Sequence, residues 1–416
     1  MTDRLQMGSF RLASRMTGLA PSAVREILKV AEQPEVLSFA GGLPAPELFP
    51  VEEVAAAFAK VLADEGQQAL QYGVSEGHGP LRDWIAARLT LRGLPTSPDQ
   101  LLITHGSQQG IDLVARALLE RGDKVVVEDP TYLAALQAFS TYEVTFVPVP
   151  GDEEGMVVDG LEERFTGQRP ALIYLVPEFQ NPKGTSLSPA RRRRLIELAQ
   201  RHGVPVLEDD PYGEIRFAGR AAPSLAALDG EQVIQLGTFS KTLAPGLRIG
   251  WIRAAPEMIG RLTILKQATD LHTSTLNQRA VTRLLATFDY EGHLEALRRV
   301  YRSRAAAMDS ALCRVMPAGT SWTHPEGGLF LWLQLPANVV DEDVFHAAID
   351  RGVAVVPGHP FFARGQDHAH LRLNFSNRTE ALIDTGMGIL GEVVQELAVA
   401  AASGYFPKSP VPPSPR

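Results

Sequence analysis

From about Leu101 onward, short apolar runs alternate with amphipathic stretches. The runs are LLIT (101–104), KVVVE (124–128), VTFVPV (144–149), ALIYLV (171–176), VPVLE (204–208), VIQLG (233–237) and IGWIRA (249–254). Most are near-continuous in Val, Ile and Leu, as strands buried on both faces are. Between them lie helical patterns such as QQGIDLVARALLE and PARRRRLIELAQRHG. The second opens cleanly, with Ser188 placed to cap it and Pro189 at the first helical position. Strands alternating with helices predict an α/β fold, a mostly parallel seven-stranded sheet covered on both faces. A helical stretch over about 256–315 follows. Then GGLFLWLQLP, VFHAAIDRG, VAVVPG, HLRLNFS and a terminal helix predict a smaller α+β domain. No internal repeat is found.

The 416 residues are enough for two or three domains with a sizeable core. The expected division is an N-terminal arm and part of the small domain over 1–50, a large domain over 51–295 and a small C-terminal domain over 296–402. The Pro/Ser-rich end, SGYFPKSPVPPSPR (403–416), is expected to be disordered. Forty Lys and Arg against 48 Asp and Glu leave a net charge of −8, which gives no electrostatic footprint for nucleic acid and argues against an anionic membrane surface. No apolar run approaches the ~18–20 residues of a bilayer span. The N-terminus lacks the apolar centre of a signal peptide. The lone Cys313 can form neither an internal disulfide nor a zinc site with other cysteines. A cytoplasmic protein with no metal site is the expectation.

In open α/β sheets ligands bind beyond the carboxyl ends of the strands. Those ends deliver His105-Gly106-Ser107-Gln108, Asp129-Pro130-Thr131-Tyr132, Pro177-Glu178-Phe179-Gln180-Asn181-Pro182, Asp209-Asp210-Pro211-Tyr212 and Thr238-Phe239-Ser240-Lys241, with Arg248 seven residues on. Neither a dinucleotide fingerprint nor a P-loop occurs at these ends. Pyridoxal phosphate matches the set. Its aldehyde needs an amine, its pyridine nitrogen a carboxylate, its phosphate a helix start with hydroxyls and an arginine, and its ring face an aromatic.

At this point the chain resembles the pyridoxal-phosphate-dependent aminotransferases of fold type I, class I/II, nearest to the 2-aminoadipate and kynurenine/aminoadipate branch. The resemblance runs over roughly residues 12–400, through SAVREILKV, LSFAGGLPAPELFP, LQYGVSEGHGPLR, ITHGSQQGIDLVA, VEDPTY, FQNPKG, LEDDPY, GTFSKTLAPGLRIGW, LHTSTLNQ, GGLFLW and LRLNFS. It implies that Lys241 forms the Schiff base and carries the proton shift, and that Asp209 pairs with the ring nitrogen, its neighbour Asp210 being the competing candidate. Tyr212 and Asn181 would hydrogen-bond the ring's phenolic oxygen. Ser107, Gln108, Thr238, Ser240 and Arg248 would hold the phosphate, and Tyr132 would stack on the ring. Tyr72 would reach the phosphate in the neighbouring subunit of a homodimer. Arg372, opposite Leu371 and Leu373 by strand alternation, would fork onto the substrate α-carboxylate. Asn181 and Gly42 join the substrate site. Arg25, with Ser22 and Gly41, matches the position that reads a distal carboxylate, against the plain reading of an exposed helical arginine. Lys183, where a small residue is usual, is expected to face solvent.

Two further patterns have plain readings. Gly386 to Gly391 spell G-x-G-x-x-G but follow no strand, and Arg191 to Arg194 are expected on the solvated face of their helix. The resulting expectation is a ping-pong aminotransferase. It would pass the amino group of 2-aminoadipate, an aromatic or a branched-chain amino acid through the cofactor to 2-oxoglutarate. A C–S or β-lyase on the same fold is the alternative. A cofactor-sensing transcription regulator is a weaker one, since it needs a winged helix-turn-helix module ahead of the fold.

Overall fold

The seven apolar runs become strands of one sheet in the computed structural model, which describes residues 6–7, 10–16, 35–165, 167–365 and 367–403. They are β1 (Leu101–Thr104), β2 (Lys124–Asp129), β3 (Thr145–Asp152), β5 (Leu172–Leu175), β6 (Val206–Asp209), β7 (Val233–Thr238) and β8 (Gly250–Arg253). An eighth strand is added at the edge: β4 (Gly155–Met156), two residues that turn back antiparallel on β3. So short a return has no apolar run to announce it. The spatial order is β1-β8-β7-β6-β5-β2-β3-β4. Strands β3, β2, β5, β6 and β7 pair in parallel, whereas β8 runs antiparallel to both β7 and β1. Two reversals restore the direction of β1, so its carboxyl end shares one edge with the other five. The same reversal puts the start of β8, and Arg248 just before it, at that edge. Strands β1, β5, β6, β7 and β8 are buried along their whole length. Each fully buried Leu, Ile or Val contributes about 1.5–3 kcal/mol of transfer free energy.

Helices cover the sheet, among them α1 (Ser107–Leu118), α2 (Leu133–Ser140) and α3 (Pro189–His202). Ser188 does cap α3, its hydroxyl accepting from Arg191 N–H at 3.4 Å, and Gly203 ends it in the left-handed conformation (φ +60°). The basic run within α3 departs from expectation. Arg192 is 1% exposed, its guanidinium held by the Leu187, Pro177 and Pro223 carbonyls and by Glu178 at 2.6 Å. Consecutive helical residues are about 100° apart, so four in a row spread over about 300° around the axis and cannot all share one solvated face.

The stretch over 256–315 is three helices: α4 (Pro256–Asp270), α5 (Thr275–Leu285) and α6 (Tyr290–Val315). Ser274 and Asp289 cap the second and third. Beyond them a four-stranded antiparallel sheet pairs β9 (Ser321–Trp322), β10 (Phe330–Gln334), β12 (His370–Asn374) and β11 (Val356–Pro357) in that order. Helix α7 (Asp341–Ile349) lies between β10 and β11, and α8 (Glu380–Ala402) ends the described chain. Leu37–Ser38 pairs in parallel with Val353–Ala354, which ties the N-terminal segment to the C-terminal part. The glycines of the G-x-G-x-x-G pattern lie in α8: a Cβ on Gly386 would strike Phe39, and one on Gly391 would strike Val315. Close packing is the role of these two, whereas a Cβ on Gly388 would meet nothing within 4 Å. Of the tail expected from 403, Ser403 closes α8 and the rest lies outside the described residues, as do Arg25 and Ser22. No helix among the described residues is long and apolar enough to cross a membrane.

Candidate active site

The strand ends open onto a cavity of about 360 Å³ lined by Gly42, Ser107, Gln108, Tyr132, Asn181, Asp209, Tyr212, Thr238, Ser240, Lys241, Arg248 and Arg372. Of the candidates named from the sequence and lying within the described residues, only Gly41, Tyr72 and the competing Asp210 are not in that lining.

Lys241 follows the end of β7. Its Nζ donates to the Gly42 carbonyl at 2.8 Å. Burial, assisted by the charges of Arg372 and Arg248, lowers its pKa to about 8, so a substantial neutral fraction exists near neutral pH. Across the cavity, Asp209 ends β6. Its Oδ2 accepts from the Tyr174 hydroxyl at 3.0 Å, while Oδ1 is buried without a partner. Burial raises this carboxyl to about 7. Asp210 points elsewhere, its Oδ1 accepting from Gly213 N–H at 2.8 Å and its Oδ2 lying 3.4 Å from Arg92. Strand alternation thus separates two acids that the sequence leaves side by side.

At one end of the cavity, Gly106 adopts φ +72° ahead of α1, and Ser107 and Gln108 form the first turn. The unpaired N–H groups of that turn attract anions. Arg248, itself at φ +53°, donates from Nη2 to the His105 carbonyl at 2.9 Å and lies so near Gly106 that a Cβ there would be 2.8 Å from Nη2. Thr238 Oγ1 sits 2.9 Å from Ser240 Oγ and accepts the Ser240 N–H at 3.1 Å. The Gln108 side chain is engaged with the Ala134 carbonyl at 3.1 Å, and Tyr132 OH lies 3.4 Å from its Oε1.

At the other end, Arg372 projects from β12 and is 4% exposed. Nη1 donates to Asn181 Oδ1 at 2.9 Å and Nη2 to the Ala40 carbonyl at 2.6 Å. The guanidinium lies between the Phe330 and Phe361 rings, 4.4 and 5.0 Å from their centroids. Burial lowers its pKa to about 10, and the group stays cationic at any physiological pH. Asn374, two residues on, donates to the Gly41 carbonyl at 2.5 Å and so holds the 40–43 segment against the site.

Around the site one sequence expectation changes. Lys183 does not face solvent; it is half-buried and donates to the Gly151 carbonyl at 2.5 Å. Tyr72 lies outside this cavity, 77% exposed, with its ring edge-on to His272. Tyr174, Phe330 and Phe361 were not singled out from the sequence. A hydroxylated aromatic inside the otherwise apolar LIYL strand was the signal for Tyr174, whereas the two phenylalanines look like ordinary core.

The residues fit pyridoxal phosphate. The unpaired buried Oδ1 of Asp209 wants a charged N–H donor, which a protonated pyridine supplies. The Gly106–Arg248 corner leaves room for backbone N–H groups and a guanidinium to meet a phosphate. The Lys241 amine, its pKa lowered by burial, lines the same cavity.

A model of the family described as aminotransferase class I and II matches residues 35–390. The chain is 44% identical over 380 residues to the 2-aminoadipate transaminase of Thermus thermophilus, covering 90% of this chain and 94% of that protein. It is 43% identical over 394 residues to aromatic-amino-acid aminotransferase 1 of Thermococcus litoralis, covering 92% and 94%. Among solved structures it is similar to LysN, the α-aminoadipate aminotransferase of Thermus thermophilus, complexed with N-(5'-phosphopyridoxyl)-L-leucine. The TM-score is 0.88 and the identity 41%, with 93% of this chain and 98% of that one covered. With a buried amine, an unpaired buried carboxylate and an anion-ready helix start around one cavity, the chain belongs to the class I and II aminotransferases, enzymes that transfer amino groups with pyridoxal phosphate.

Proposed function

We propose that this aminotransferase takes its amino group from 2-aminoadipate, an aromatic or a branched-chain amino acid and delivers it to 2-oxoglutarate in two half-reactions. The observation that carries the reading is the pairing of Lys241 and Arg372 across one cavity, a proton carrier and a carboxylate fork. When bound, pyridoxal phosphate supplies a carbonyl that takes up the amino group and a ring that draws electrons from the substrate's α-carbon. The protein's residues do the rest. Lys241 would hold the cofactor covalently and, once released, accept and return the α-proton; its lowered pKa suits both directions. Asp209 Oδ1 would hold the proton on the ring nitrogen, with Tyr174 fixing the carboxylate's orientation.

Ser107, Gln108, Thr238, Ser240 and Arg248 would hold the phosphate, and Tyr132 would cover a ring face. Tyr212 and Asn181 would donate to the ring's phenolic oxygen. Arg372 would exchange its Asn181 and Ala40 contacts for the two oxygens of the α-carboxylate, with Gly42 lining the same space. Desolvation by Phe330 and Phe361 strengthens that ion pair. Arg25, with Ser22, would read a distal carboxylate when the donor has one.

The enzyme is proposed to be a cytoplasmic homodimer with the domain division 1–50, 51–295, 296–402 and 403–416. Leu70, Tyr72 and Val74 are 71%, 77% and 62% exposed on one short segment, an apolar strip of the kind buried in an interface. There Tyr72 would reach the phosphate in the partner's cavity.

A panel of amino donors with 2-oxoglutarate, read as glutamate formed, tests the reading. Glutamate should appear with at least one donor of the three classes, and Lys241→Ala should lower the rate about 10²–10⁴-fold. Turnover that needs no oxo acid, releasing ammonia or a thiol, would assign a lyase instead. Arg25→Ala should weaken 2-aminoadipate about tenfold or more and leave leucine nearly unchanged. Equal losses on both donors would remove Arg25 from substrate reading.

A further inference from the structure

Away from the cavity, one cluster gathers metal-ligating side chains from three separate places in the chain. Asp341 opens α7 and is fully buried. Its Oδ2 lies 3.0 Å from His359 Nδ1 and its Oδ1 lies 3.3 Å from His368 Nδ1. The two imidazoles stack with centroids 4.6 Å apart and planes 29° apart, which turns both Nδ1 atoms toward one carboxylate. One ligand atom from each residue falls within 4.8 Å of the others. In a tetrahedral zinc site, bonds of about 2.0–2.2 Å put neighbouring donor atoms roughly 3.3–3.5 Å apart. The two Nδ1–carboxylate spacings, on different oxygens, are close to that, and the third, within 4.8 Å, needs only small side-chain shifts to come into range.

We propose that Asp341, His359 and His368 form a site for a divalent ion of the zinc class, with solvent completing its coordination. Two nitrogens and a carboxylate favour zinc, cobalt or nickel over magnesium or calcium, which prefer oxygen alone. The surroundings suit such a site. Backbone N–H groups of Glu342 and His359 each donate to the Asp341 carboxylate at 2.9 Å, fixing its plane. Glu342 Oε1 lies 3.5 Å from His359 Nε2, placed to receive that N–H when Nδ1 binds the ion. The His368 side chain is 45% exposed and gives the ion a way in. Without an ion, each Nδ1–H donates to the carboxylate and the cluster is a hydrogen-bonded clamp. With one, the rings shift to their Nε2–H tautomers and the carboxylate and both Nδ1 lone pairs turn to the metal.

The position gives the site a consequence. His359 begins the turn that carries Phe361, which lines the active-site cavity beside Arg372 and whose carbonyl accepts from Thr131 N–H at 2.9 Å. An ion here would therefore stiffen one wall of that cavity without touching substrate.

The test uses untagged holoenzyme, dialysed against chelator and titrated with zinc by calorimetry and with cobalt by visible absorption. About one equivalent per chain should bind, cobalt should show the intense bands of low-coordinate geometry between the cofactor's absorption and the red, and zinc should raise the melting temperature. His359→Ala and His368→Ala should each lose at least tenfold in affinity together with the cobalt bands. His368→Ala is the informative variant, because its half-exposed ring can be removed without opening the core. Absence of stoichiometric binding, or binding and a melting shift unchanged in both variants, would leave the cluster a hydrogen-bonded clamp and overturn the proposal. Neither outcome depends on which amino donor the enzyme uses.

Discussion

Burial penalises the charged form of Lys241 and of Asp209 alike, yet the consequences run in opposite directions. For the lysine, a pKa near 8 makes a free base available. For Asp209, a pKa near 7 in place of the usual 3.8 means that the cofactor-free folded protein holds a proton the unfolded chain has lost. Between about pH 4 and 7 the native state thus binds more protons, and stability falls as pH rises. The contribution is fully present below the unfolded value and is gone above the folded one. Glu128 and Glu208 are raised by burial too, to about 8 and about 7, and slope the same way. Comparison with Asp209→Asn isolates one carboxyl. Across that window the cofactor-free wild type should lose a few kcal/mol, up to about 4, relative to the variant. Denaturant midpoints at pH 4.5 and 7.5 measure it. Adding cofactor should flatten the difference, since a protonated ring nitrogen then pairs with the carboxylate. Parallel pH curves for both proteins would mean that Asp209 is hydrated.

At the scale of elements, the sheet edge was legible because each apolar run ends in a polar cluster, and parallel strands carry their ends to one side. Arg248 joins them only because β8 runs backwards, a reversal that no run of residues records. The same limit explains Asp209 against Asp210, which periodicity alone does not rank, and Arg192, whose inward direction depends on the helix's rotation against Glu178. Gly106 shows what a short loop demands. At φ +72° and ψ 172°, a region essentially reserved for glycine, an alanine costs about 1–3 kcal/mol from its backbone alone, and its Cβ would press on the Arg248 guanidinium. Gly106→Ala should therefore fold and yet release its cofactor more readily, with the dissociation constant for pyridoxal phosphate raised about tenfold or more. Equilibrium dialysis of the variant would show this. An unchanged constant would place the phosphate away from this corner.

For the molecule as a whole, the exposed strip at Leu70, Tyr72 and Val74 asks what covers it. Tyr72 cannot serve the cavity of its own chain while standing at the surface beside His272, where the Gly73 N–H also donates to His272 Nε2 at 3.2 Å. If the strip is a homodimer interface and Tyr72 works in the partner's cavity, two defects in different chains become complementary. A Lys241→Ala chain keeps a sound Tyr72, and a Tyr72→Ala chain keeps a sound Lys241. In a hybrid of the two, the second chain's cavity receives both sound residues and the first chain's receives neither. Random exchange makes half the dimers hybrids with one working site each, so mixing two nearly inactive proteins should restore roughly a quarter of wild-type activity. Were Tyr72 to act within its own chain, every site in the hybrid would still lack one residue and mixing would restore nothing. Exchange can be followed by differential tagging on native gels, so a silent mixture that has demonstrably exchanged would rule out the shared site while leaving transamination itself untouched.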